Sequence, residues 1–227
     1  MTLSYRDRAV FLPESQTVVV ADLHLGRSRT AAFESPLDTV VDLAGRLEEI
    51  VCETDATTVV IAGDCLDAFG RVPPGVTDRF FDLRDRLEAV DVDLHIVGGN
   101  HDTMLTSLVD VDIPAYLRID ETVICHGHTI PDTTAQRYIL GHEHPTLRVD
   151  GIKEPCFLHG HEVFEGADVL VLPAFSTLVR GTVFNSHVAS DCHAPLVRST
   201  DLDLYRPILV ADPTLRFPPL GELRPHL

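Results

Sequence analysis

The sequence predicts an α/β fold in which two packed β-sheets are flanked by helices. Three observations carry this. Apolar strands alternate with amphipathic helices from residue 17 to residue 98. Beyond residue 120 strands follow one another without helices between them. Five of the apolar strands end by delivering side chains that bind metals: Asp22 and His24, Asp64, Asn100 and His101, His126, then His142 and His144.

Residues 1–16 form a short leading strand and turn, with Leu3, Tyr5, Val10 and Phe11 apolar and Pro13 as punctuation. Thr17 to Ala21 is a continuous β-branched run, as expected of a strand covered on both faces. It runs into Asp22-Leu23-His24-Leu25-Gly26. Period-2 geometry projects Asp22 and His24 to the same side if the strand continues through them. Ser35, Pro36 and Asp38 are start signals for a helix whose apolar spacing lasts to about Glu53. The next strand, Thr57 to Ala62, ends in Gly63-Asp64-Cys65-Leu66-Asp67. A second helix carries Phe80, Leu83, Leu87 and Val90 on one face. The strand Leu94 to Val97 then runs into Gly98-Gly99-Asn100-His101-Asp102. Further strands are expected at 122–125, 138–140, 156–164 and 168–172. Residues 176–227, polar and then proline-rich, read as loop with short elements and a loosely structured end. No linker divides the chain, so residues 1–227 read as one domain, with 177–227 as a C-terminal extension.

The net charge of −17 comes from 35 acidic against 18 basic residues, is dispersed along the chain, and leaves Lys153 as the only lysine. Such a surface suits concentrated salt, where the screening length falls to about 3 Å at 1 M, and predicts a halophilic cytoplasm. No basic stripe marks a nucleic-acid binder. Phosphate attraction by Lys and Arg is weak in high salt, so the acidic balance leaves DNA and RNA open as substrates. No run of eighteen apolar residues predicts a membrane span, and no signal peptide is expected. Cys52, Cys65, Cys125, Cys156 and Cys192 read as reduced core cysteines rather than disulfides or a thiolate metal site.

Histidines with carboxylates and no thiolate suit Mn, Fe, Zn or Co in a catalytic rather than a structural site. Asp64 stands at the centre of the set and could bridge two ions. Two cations about 3.5–4 Å apart would activate a water and clamp phosphoryl oxygens during in-line displacement. Alone, Asp-x-His after a strand reads as a turn or cap, Gly-Asp says almost nothing, and Gly-His-Glu-His is only suggestive. Their order, each at the end of an apolar strand, is what points to a binuclear site.

That order resembles the calcineurin-like metallophosphoesterase superfamily. The matching motifs are Asp22-Leu23-His24, Gly63-Asp64-Cys65-Leu66-Asp67, Gly99-Asn100-His101-Asp102, His126 and Gly141-His142-Glu143-His144, within residues 17–176. The resemblance implies a four-layer αββα sandwich with a binuclear metal site at one end. It implies that Asp22, His24 and His144 hold one divalent ion and Asn100, His126 and His142 the other, with Asp64 bridging. His101 would be the general acid, oriented by Asp67. Mn²⁺ is the first expectation for both ions, with Fe, Zn, Co or Ni as alternatives. Asp22-Leu23-His24-Leu25-Gly26, Gly141-His142-Glu143-His144-Pro145 and Leu172-Pro173-Ala174-Phe175-Ser176 look like a prokaryotic branch that includes the DNA endonuclease of a ligase-centred damage response. That branch implies DNA-repair partners, and often has histidine where this chain has Asp67.

The expected activity is hydrolysis of phosphoesters, with phosphodiesterase or nuclease favoured over phosphatase. The alternative is a non-catalytic scaffold or metal-binding interaction protein that keeps the fold, which would need neither His101 nor all seven metal residues. His128 and Arg27 are candidate substrate contacts, as are Arg29, Arg71 and Arg180. His95, His159 and His161 read as structural. His187 and His193 lie in a polar loop whose spacing demands no role.

Overall fold

In a computed structural model, residues 2–27, 36–68, 70, 72–108 and 113–226 are described. Among the described residues the first sheet has five strands. A β-hairpin of β1 (Ser4–Arg6) and β2 (Ala9–Leu12) joins β3 (Thr17–Val20), and β4 (Thr58–Ala62) and β5 (Asp93–Val97) extend it in parallel. Helices α1 (Pro36–Thr54) and α2 (Val76–Glu88) make the two crossovers. The second sheet contains β6 (Tyr116–Ile119), β7 (Thr122–Cys125), β8 (Arg137–Leu140), β9 (Pro145–Val149), β10 (Ile152–Phe164), β11 (Ala167–Val171), β12 (Thr182–Val183), β13 (Arg206–Leu209) and β14 (Leu215–Arg216). Its main order is β12-β9-β10-β11-β8-β7-β6, with β13 on β10 and β14 on β13. Two short helices, α3 (Pro195–Arg198) and α4 (Leu220–Leu223), accompany it.

Alternation along the strands builds the layers. Val18 and Val20, Val59 and Ile61, and Ile96 pack with α1 and α2 through Leu47, Phe80, Leu83 and Leu87. Val19, Val60, Ala62 and Val97 face Ile124, Ile139, Phe157 and Leu170 of the second sheet. Val123, Cys125, Tyr138, Leu140, Leu158 and Val169 point the other way, onto Phe184, Leu196, Leu202, Tyr205 and Leu220. The αββα sandwich thus follows from period-2 side-chain direction in strands that are buried on both faces.

The C-terminal segment differs from its expected loose character. β13 pairs with β10 in register from Cys156↔Leu209 to His159↔Arg206, and Leu196, Tyr205 and Leu220 are fully buried. Its prolines and short apolar clusters hid a covering layer that only long-range pairing reveals. β6, β9 and β12–β14 are also additional to the expected strands. Cys52 is exposed, against expectation, while the other four cysteines are buried and all five are free thiols. His95 lies on β5 but faces outward. Ser35, Arg29 and Arg71 lie outside the described residues. No helix of the described residues is long and apolar enough to cross a membrane.

Candidate metal centre

Parallel pairing puts the C-terminal ends of β3, β4 and β5 on one edge of the first sheet, and those of β7 and β8 on one edge of the second. Loops leaving these ends meet. His142 N–H donates to Asp22 Oδ2 at 3.0 Å, which ties the two sheets together at the site. Phe175 N–H donates to the Ala21 carbonyl at 2.8 Å, and Ser176 N–H to the Asp22 carbonyl at 3.3 Å. The Leu172–Ser176 stretch therefore braces the first of these loops.

Asp22 and His24 do converge, but not as neighbours on a strand. β3 ends at Val20, and Asp22 (φ 58°) and His24 (φ 48°) have left-handed backbone conformation. So do Asp64 (φ 49°), His142 (φ 69°) and His144 (φ 46°). For residues with a Cβ this conformation costs roughly 1–2 kcal/mol each, so the surrounding hydrogen bonds must hold it. His24 N–H donates to the Asp64 carbonyl at 2.9 Å and Leu25 N–H to the Cys65 carbonyl at 2.8 Å. Close approach needs glycine as well: a Cβ on Gly141 would come within 2.5 Å of Asp22 Oδ2, and one on Gly99 would collide with Asp64.

All seven residues expected to bind metal come together. The donor atoms of Asp22, His24 and His144 form one group within 4.8 Å, and those of Asp64, His126 and His142 another. His24 Nε2 and His144 Nε2 face each other at 3.5 Å, and His144 Nε2 lies 3.1 Å from Asp22 Oδ1. Asp64 Oδ2 sits between the groups, 3.9 Å from His24 Nε2 and 3.4 Å from His126 Nε2.

His126 provides the test of whether these residues suit a cation. Its Nδ1 is 3.2 Å from the Ala62 carbonyl, an acceptor, so Nδ1 carries the proton and Nε2 presents a lone pair. That lone pair faces Asn100 Oδ1 at 3.0 Å and Asp64 Oδ2 at 3.4 Å. Acceptors turned towards one another in a buried site repel unless a shared cation or proton lies between them, and the site suits such a cation. Titration behaviour agrees. Burial pushes His24 down to about 4 and His142 down to about 3, so both rings are neutral and free to coordinate at pH 7. Burial pushes the Asp64 carboxyl up to about 8, against the His101 N–H and with the charge of Asp22, as expected where negative groups outnumber positive ones. Burial also pushes Asp22 up, but His144, by charge and hydrogen bond, and then His126 and His24 bring it below its usual value.

His101 lies at the mouth, its side chain 23% exposed. Its Nδ1 is 3.1 Å from Asp67 Oδ1, and its Nε2 is 3.9 Å from Asp64 Oδ2. Arg27 Nε approaches the other Asp67 oxygen at 3.3 Å. The His128 ring stands 5.3 Å from that of His126, and burial lowers its pKa. His193 is exposed, with its ring 6.2 Å from that of His142. His159 and His161 instead approach Asp168. Arg180 lines a cleft of about 180 Å³ beside His144.

Sequence reasoning passed over Asp102. Its buried carboxylate accepts from Leu66 N–H (2.8 Å), Gly99 N–H (2.9 Å) and Cys65 N–H (3.2 Å), binding the Asp64 loop to the His101 loop. The signal was its place in Gly99-Asn100-His101-Asp102, where sequence reasoning assigned its carboxylate no role of its own.

A crystal structure of the nuclease MPE from Pseudomonas putida superposes with a TM-score of 0.66 at 22% identity, covering 93% of this chain and 92% of that one. A second solved structure, the phosphoesterase Yfce from E. coli, gives a TM-score of 0.44 at 16% identity over 73% of this chain and 83% of the other. No curated protein matches the chain. Residues 16–205 match the calcineurin-like phosphoesterase family, and with that match over most of its length the chain belongs to it.

Proposed function

We propose that the protein hydrolyses phosphodiester bonds, nucleic acid among its substrates, with two divalent cations. Asp22, His24 and His144 would hold one, Asn100, His126 and His142 the other, and Asp64 would bind both. The observation that carries this reading is the buried Nε2 lone pair of His126 opposed to the oxygens of Asn100 and Asp64. Nitrogen and oxygen donors without sulfur favour Mn²⁺, with Fe, Zn, Co or Ni as alternatives. When bound, such ions activate water and neutralise charge on phosphoryl oxygens.

The chain's own groups do the rest. Asp67 accepts the Nδ1 proton of His101 and so orients the ring, leaving Nε2 directed to the site as the atom that protonates the leaving oxygen. Partial exposure lets His101 recover its proton from solvent. Asp64 Oδ1 accepts the His101 N–H at 2.9 Å, which fixes the acid relative to the shared carboxylate. Arg27 occupies the second Asp67 oxygen and stands where a phosphate oxygen could reach it. His128 adds a neutral donor on the other flank.

Two observations support a diester over a monoester. The nuclease named above shares the fold at a TM-score of 0.66. The cleft beside His144 is lined by Arg8, Lys153 and Arg180 and by no carboxylate, in a chain of net charge −17. A polynucleotide carries a further phosphate next to the scissile one, and this cleft offers it a place. The dispersed acidic surface supports a saline cytoplasm as the setting. The test is hydrolysis of bis(nitrophenyl) phosphate and single-stranded oligonucleotides against nitrophenyl phosphate, by Mn²⁺-loaded protein in high salt. Faster turnover of the monoester would overturn the diester reading, and no turnover of any of them would overturn the hydrolase reading.

A further inference from the structure

One group of metal-binding side chains takes no part in the reaction above. Glu143, His187 and Cys192 offer a carboxylate oxygen, an imidazole nitrogen and a sulfur within 4.8 Å of one another. Glu143 is 1% exposed and Cys192 is fully buried. Glu143 Oε1 accepts the Ala194 N–H at 2.5 Å, but Oε2 is buried with no hydrogen-bond partner among the described residues. His187 Nε2 is likewise buried and unpartnered. Among the described residues the Cys192 thiol reaches only the Val188 carbonyl, at 3.8 Å. Buried polar atoms are almost always paired, and two orphans beside one thiol ask for a common partner.

The loop that carries two of these residues is fixed. Val188 N–H donates to Asp191 Oδ2 at 3.1 Å and Asp191 N–H to the Val188 carbonyl at 2.9 Å. The Cys192 carbonyl accepts from Arg198 at 2.9 and 2.6 Å, and the His187 carbonyl from Arg224 at 2.5 Å. Donors braced in this way are preorganised.

We propose that Glu143, His187 and Cys192 form a separate site for Zn²⁺, with a water in the fourth position. Thiolate, imidazole and carboxylate together select zinc over manganese or magnesium. Binding would replace the Cys192 S–H bond by a sulfur–zinc bond and release the proton to solvent. Because Glu143 stands between His142 and His144, the ion would tie the loop of the metal centre to residues 187–192. The proposal is independent of the substrate reading, since it rests on none of the seven residues of the main centre.

Co²⁺ substitution gives a specific readout. The main centre has no sulfur donor, so a thiolate-to-cobalt charge-transfer band in the near ultraviolet reports this site alone. The expected result is such a band in the Co²⁺-loaded wild type, its loss in Cys192→Ser and in His187→Ala, and one fewer bound Zn²⁺ per chain in each variant by elemental analysis. Absence of the band in the wild type would overturn the proposal without any variant having to fold. Its persistence in Cys192→Ser, or equal zinc content in all three proteins, would overturn it as well.

Discussion

Replacing Asp102 by Asn keeps the size of the side chain and removes one of its two acceptor oxygens. In the native site one oxygen serves Leu66 N–H and the other serves Cys65 and Gly99 N–H. The Asn oxygen can take either place, and the amide NH₂ then faces at least one backbone N–H, donor against donor. A buried donor left unsatisfied costs about 1–3 kcal/mol. For a domain of this size each kcal/mol shifts Tm by about 2–4 °C, so Asp102→Asn should lower Tm by roughly 2–12 °C. Asp102→Ala, which leaves all three N–H groups without the carboxylate, should lower it further. Because these bonds are buried, the loss should persist in high salt, where surface ion pairs are screened. Metal affinity should fall too, since the carboxylate joins the loop of Asp64 to the loop of Asn100 and His101. Scanning calorimetry with elemental analysis reads both effects. A Tm within a degree of wild type in both variants, with full metal content, would refute the bracing role.

Other outcomes follow from the same geometry. Chelation of divalent ions should abolish hydrolysis with Mn²⁺ restoring it, and Asp64→Ala should lose binuclear occupancy; an Asp64→Ala protein with two ions per chain and normal turnover would contradict the shared carboxylate. His101→Ala should retain its metals and lose about 10²–10⁴-fold in kcat, less for a nitrophenyl leaving group that needs little protonation; equal losses for good and poor leaving groups would exclude the acid role. Asp67→Asn should also retain metal and slow poor leaving groups more than good ones, and loss of an ion instead would make Asp67 a metal-binding residue. Lys153→Ala with Arg180→Ala should raise KM for oligonucleotides far more than for bis(nitrophenyl) phosphate, and equal effects on both would remove the cleft from substrate binding. Burial pushes the Asp168 carboxyl up, but the Glu162 N–H, His161 and His159 bring it below its usual value, so its contribution to stability is present above about pH 4 and lost as pH falls through the folded value. Denaturation of wild type and Asp168→Asn should therefore differ at pH 7 and converge below pH 4, and a constant difference would show that Asp168 acts through something other than its charge.

The sequence by itself determined the sandwich and pointed to the seven candidate residues of the centre, because both are written in local signals. Strands buried on two faces are unbroken apolar runs, such as Val18 to Ala21 and Val59 to Ala62. Strand ends in this class of sheet carry the chemistry, so Asp64 or His126 could be read from the residue that follows the run. Tertiary structure alone decided the rest. It turned Asp22 and His24 towards each other through left-handed backbone rather than strand alternation. It made Asp102 a three-bond brace, which depends on backbone groups 36 and 37 positions away. It converted the proline-rich C-terminal segment into a covering layer and brought His187 and Cys192 to Glu143. Period and spacing describe neighbours along the chain, whereas a hydrogen bond or a shared cation joins residues whose separation no local pattern records.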